Sequence, residues 1–67
     1  MKAYKLIEIF RFTCECMQWC IKDKTENRYI NSSDDIHGII ARGDYHIMNK
    51  NVVKVTYKNK CLNLEVI

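Results

Sequence analysis

The residues best equipped for chemistry are four cysteines and two histidines. Cys14, Cys16, Cys20 and Cys61, with His37 and His46, could in number satisfy a zinc ion. Their spacing argues otherwise. Structural zinc sites favour paired knuckles in which two cysteines stand a few residues apart. This chain runs C-x-C-x-x-x-C, and its last cysteine lies far downstream. The pattern assigns no metal and no cofactor. Small, semi-buried thiols in a reducing cytosol fit it better. A disulfide from Cys61 to one of the other three is the alternative. Cys14 with Cys16 is a poor pair on extended backbone, because their Cα atoms would stand near the limit of about 7 Å.

A Cys–His nucleophile needs sulfur within hydrogen-bond reach of an oriented imidazole. Nothing in the spacing supplies that. Asp34 and Asp35 suit the positive end of a helix better than acid–base work. A chain of 67 residues has little room for a large pocket. No catalytic residue is assigned, and a protein that is not an enzyme is expected.

Two sets of side chains could bind a partner. Phe10, Phe12, Met17 and Trp19 concentrate apolar and aromatic surface near the N-terminus. If they are not all core, they are protein-binding anchors, since aromatics dominate interface energetics. Lys50, Lys54, Lys58 and Lys60, with Arg42, form the basic set. A β-ribbon with basic outer side chains can lie in a nucleic-acid groove, so nucleic-acid binding is an alternative function. The net charge of +3, from eleven Lys/Arg against eight Asp/Glu, leans only weakly toward anionic partners. Lysines on exposed strands also discourage edge-to-edge pairing.

The elements that must position these residues start with the firmest one, at the C-terminus. Val53, Val55 and Tyr57 alternate with Lys54, Thr56 and Lys58; Leu62, Leu64 and Val66 alternate with Cys61, Asn63 and Glu65. A fold at Asn59-Lys60 pairs 57 with 62, 55 with 64 and 53 with 66. Both apolar sets then share one face, as a half-buried antiparallel pair requires. The same register sets Lys54 opposite Glu65 and Thr56 opposite Asn63.

Upstream, Tyr4–Phe12 is rich in β-branched and aromatic residues and reads as a strand with imperfect alternation. Residues 13–16 read as a tight bend. Met17–Lys22 alternates and gives a second strand; Asp23–Asn27 is a polar turn, and Arg28–Asn31 a short extended piece. Ser32 with Asp35 resembles a capping box. Ile36, Ile39 and Ile40 then mark the buried stripe of a helix of roughly ten residues, ended by Gly43 in a left-handed conformation. Tyr45–Met48 reads as a further strand. One domain over 1–67 is expected, of α+β class. It would be a small antiparallel sheet of four to five strands with one short helix packed on one face. No apolar run approaches the roughly 18 residues that span a bilayer, and no signal peptide opens the chain. A cytoplasmic protein is expected.

The order KLIEIFRF, then W-x-I-x-D at Trp19–Asp23, then SSDDIHGIIARGDY, then I-x-N at Ile47–Asn49 and a hairpin resembles a known group. These are short, uncharacterised proteins of phages and mobile elements of low-GC Gram-positive bacteria. The resemblance implies a β-hairpin, helix, β-hairpin plan and a non-enzymatic protein that binds and modulates a host protein, such as a defence component. A structural homo-oligomer, with a homodimer as its simplest form, is a further reading, because a small core benefits from a second subunit.

Overall fold

The computed structural model describes residues 1–13 and 17–67. Most of the bend expected at 13–16 lies outside the described residues. Four strands form one sheet: β1 (Gln18–Asp23), β2 (Arg28–Asn31), β3 (Val52–Lys58) and β4 (Cys61–Val66), in the order β2-β1-β4-β3. Helices α1 (Ala3–Thr13) and α2 (Ile36–Ala41) and a 3-10 segment (Tyr45–Asn49) complete the α+β fold.

The C-terminal hairpin folds in the expected register, with Tyr57 opposite Leu62, Val55 opposite Leu64 and Lys54 opposite Glu65. Its last rung differs. A bulge between Val52 and Lys54 puts Val52, not Val53, opposite Val66. The two-residue turn holds Asn59 and Lys60 at φ 53° and 59°. Both central residues are left-handed, as in a type I′ hairpin.

The expected strand over Tyr4–Phe12 is a helix. Ala3, Leu6, Ile7 and Phe10 fall at i, i+3, i+4 and i+7, and these residues face or border the core. The imperfect alternation was a helical stripe. No acidic residue occupies the first turn of α1. Arg11 suits the last turn and the Ala3 amide donates to the Lys50 carbonyl, but a helix this short also needs the packing of its inner face. There are thus two α-helices rather than one.

Three further expectations change. Tyr45–Met48 is not a strand but part of the 3-10 segment, which buries Ile47. Helix α2 spans six residues, and its N-cap Asp35 makes no side-chain cap bond. Ser32 instead serves the sheet: its amide donates to the Trp19 carbonyl and its hydroxyl accepts from the Trp19 amide. Only Ile39 of the isoleucine stripe is buried, while Ile36 and Ile40 are exposed. The helix does end as expected. Gly43 has φ 74°, its amide donates to the Ile40 carbonyl, and that of Asp44 donates to Ile39, which is the Schellman arrangement.

The sheet is mixed rather than antiparallel throughout, because β1 and β4 run parallel, with Ile21 beside Leu64. Chain order explains this. Strand β2 and strand β3 occupy opposite edges, so the helical crossover between them brings β4 in beside β1. Ile21, Ile30, Leu62, Leu64 and Val66 point to one face and join Ala3, Ile7, Ile39 and Ile47 in the core. The other face carries Cys20, Lys22, Tyr29, Cys61 and Asn63, with Lys54, Thr56 and Lys58.

Candidate protein-interaction surface

Helical phase places Ala3 and Ile7 against the sheet and Phe12 on the opposite side of α1. Phe12 is accordingly 95% exposed. Ile9, one turn before it, is also exposed and lies toward the same outer side. Phe10 turns inward, and its ring meets that of Tyr57 at a centroid distance of 5.3 Å. Met17 and Trp19 are half-buried against the core. The four anchors read from the sequence are therefore split. Phe12 alone stands in solvent, and the other three support the fold.

The basic set is also divided. Lys50 donates to Asp23 Oδ2 at 2.6 Å and to Glu26 Oε2 at 2.9 Å. Arg42 is tied to Asp44 at 3.0 Å and stands 3.7 Å from Asp34. Lys54 and Lys58 project from the open face of β3, and Lys60 lies in the adjoining turn. Lys22 of β1 shares the open face, an addition the sequence reading missed. Its parity with Cys20 on the second strand was the available signal.

Two buried carboxylates organise the charged groups. Asp23 ends β1 on the core side and has no exposed surface. It accepts hydrogen bonds from the amide of Thr25 and from Lys50. Burial alone would raise its pKa; Lys50 and the Thr25 and Glu26 amides outweigh that and hold the carboxyl below its ordinary range. Asp44 behaves alike. Its burial is overcome by Arg42 and Arg28, whose guanidinium lies 2.8 Å away. Asp23, Glu26 and His46 bring one ligand atom each within 4.8 Å of one another, close enough to hold a cation. Lys50 already supplies the positive charge there, bonded to both carboxylates, and His46 is bonded to Glu26. The cluster is an ionic strut between the β1–β2 turn and the segment leading into β3.

The thiols lie elsewhere. Cys20 and Cys61 are free and half-buried on the open face, by a shallow cavity of about 190 Å³ that Tyr29 and Asn31 also line. Cys20 Sγ donates to Asn63 Oδ1 at 2.6 Å. Burial pushes the Cys20 thiol up; the Tyr29 hydroxyl opposes this and the Cys61 thiol reinforces it. A thiol held protonated is a poor nucleophile. The sheet also separates these sulfurs from His46, which belongs to the helical side. Cys14 and Cys16 lie outside the described residues.

Strand β3 is an edge of the sheet and carries Lys54 and Lys58 of the basic set. Its Val55 and Tyr57 share the core face with Leu64 and Leu62, yet Val55 is 46% exposed whereas Leu62 and Leu64 of β4 are buried; Val53, the extra residue of the bulge, is 53% exposed. The helical layer covers the inner strands and meets β3 only in part, through Phe10 against Tyr57 and at Val52. No helix is long and apolar enough to cross a membrane among the described residues. No family model matches the chain, and neither a curated protein nor a solved structure matches it.

Proposed function

We propose that this chain is a non-enzymatic interaction protein whose outer α1 surface binds another protein. The observation that carries this reading is Phe12, an aromatic ring 95% exposed on a helix held by its other face. Large rings left in water at a fixed position are typical interface anchors. The resemblance to short phage and mobile-element proteins supplies the class of partner, a host protein whose activity is modulated in the cytoplasm. Phe12→Ala removes no core contact, so its stability should stay within about 0.5 kcal/mol of wild type. Affinity for a partner recovered from a low-GC Gram-positive host should fall about tenfold or more. Unchanged affinity in titration calorimetry would remove Phe12 as the anchor and the reading with it.

A second reading rests on Lys22, Lys54 and Lys58, which share the open sheet face. Single-stranded nucleic acid could lay its phosphates there. Gel-shift affinity should then fall with salt, with a logarithmic slope of about −0.7 per phosphate contact. No shift at low salt ends this reading.

A further inference from the structure

We infer that Cys20 and Cys61 together form a binding site for a soft monovalent cation, Cu(I), held between their two sulfurs. Chain spacing hides the pair, and the parallel contact of β1 with β4 creates it. Gln18 stands beside Cys61 and Cys20 beside Asn63, so the thiols sit on neighbouring strands, two residues out of step, on the open face. Both are free, half-buried and line one cavity. Cys20 Sγ donates to Asn63 Oδ1 at 2.6 Å, and Asn63 Nδ2 donates to Cys61 Sγ at 3.8 Å. One carboxamide therefore touches both sulfurs, and the thiols also act on each other directly.

The register disfavours a disulfide and suits an ion. Neighbouring strands stand about 4.8 Å apart and two residues of a parallel strand span about 6.6 Å, which puts the two Cα atoms about 8 Å apart. A disulfide needs them within about 7 Å. An ion between the sulfurs relaxes that limit. Metal–thiolate bonds of about 2.3 Å let the sulfurs stand up to about 4.6 Å apart, where a disulfide demands about 2 Å.

Ligand softness and number select the ion. Thiolates favour Cu(I), zinc and iron–sulfur clusters. Structural zinc takes four N or S ligands, and a cluster takes four thiolates. Besides its two sulfurs, the cavity is lined among the described residues by amides, hydroxyls and the Trp19 ring, with no imidazole and no carboxylate. Two sulfurs alone suit Cu(I), whose filled d shell accepts linear two-coordination. Binding replaces two S–H bonds by two S–Cu bonds; both protons pass to water and copper stays monovalent. The dithiolate complex carries one negative charge, and Lys22, the next residue of β1 on that face, lies on the side that must balance it.

Anaerobic titration of the reduced full chain with Cu(I), in competition with bicinchoninate, tests this. The chain should withdraw one Cu(I) from the chelator and gain a thiolate-to-copper absorption band in the ultraviolet. Cys20→Ser and Cys61→Ser should each weaken binding by more than about a hundredfold, beyond the roughly 10–100-fold effect of a neighbour that only orients a ligand. Circular dichroism of both should match wild type. The double variant Cys14→Ser, Cys16→Ser should still take one Cu(I), and equimolar Zn(II) should not displace it. NMR gives a readout that needs no variant: Cu(I) should move the Cβ resonances of Cys20 and Cys61 and leave those of Cys14 and Cys16. A wild-type chain that takes no Cu(I) from the chelator overturns the inference. So does undiminished binding by Cys20→Ser or Cys61→Ser, loss of binding in the double variant, or displacement by Zn(II). The thiols lie across the sheet from α1, so Cys61→Ser should keep any affinity that depends on Phe12.

Discussion

Ile21→Ala should abolish cooperative unfolding at neutral pH. Ile21 sits on a central strand, paired with Ile30 on one side and Leu64 on the other, and all three are buried. Removing a buried isoleucine to alanine costs about 2–5 kcal/mol, the transfer of the lost methyl groups plus the cavity left behind. A chain of this size rarely has more than about 3–5 kcal/mol in total. The variant should therefore lose its sharp urea transition and its near-ultraviolet dichroism while keeping some far-ultraviolet signal. The exposed Ile40 offers the control, since Ile40→Ala should leave the urea midpoint almost unmoved. A sharp transition in Ile21→Ala, close to that of wild type, would mean that the core is not where these nine side chains place it.

Acid should weaken the fold through Asp23 and Asp44. Both carboxyls are held below their ordinary range in the folded chain. A group with a depressed folded pKa stabilises fully above its unfolded value, about 3.9 for aspartate, and that stabilisation is lost as pH falls through the folded value. The urea midpoint should thus hold from neutral pH to about pH 5 and then decline toward about pH 2. Asp23→Asn keeps the shape but loses the charge facing Lys50. It should cost on the order of 2 kcal/mol at neutral pH, because a charge-assisted hydrogen bond to a buried acceptor is lost. The gap between variant and wild type should close as acid protonates the native carboxylate. A gap of constant size across that range would show that Asp23 acts by shape and not by charge. Lys50 gives the opposite limb. Its bonds to Asp23 and Glu26 raise its pKa. Its contribution is present in full below the unfolded value of about 10.4 and fades only as pH rises through the folded one.

The ionic strut and the exposed Phe12 differ in how visible they were beforehand. Asp23 shares parity with Trp19 and Ile21, so its inward direction could be read, but its partner could not. Lys50 is 27 residues away and reaches Asp23 only because the 3-10 segment returns the chain to the end of β1. Arg42 and Asp44 stand two residues apart, yet Arg28 joins them from β2. Phe12 was grouped with Phe10 by type. Their separation follows from α1 being helical, which sends positions 10 and 12 to different sides, whereas a strand would have kept them on one.

Local pattern alone was enough for the hairpin register from Lys54 to Glu65, for strands β1 and β2, and for the left-handed Gly43 that ends α2. Alternation and turn chemistry act between near neighbours, so a few residues carry the information. Tertiary structure decided the rest. The β-branched and aromatic content of residues 4–12 favours a strand, and only a sheet waiting for Ala3, Leu6, Ile7 and Phe10 makes a helix the better burial. The parallel contact of β1 with β4, and the place of β3 at the rim, depend on a crossover that no short window of sequence contains. The same Val-x-Val pattern would read as core in the middle of the sheet; at its edge it is surface, because burial depends on which neighbours arrive.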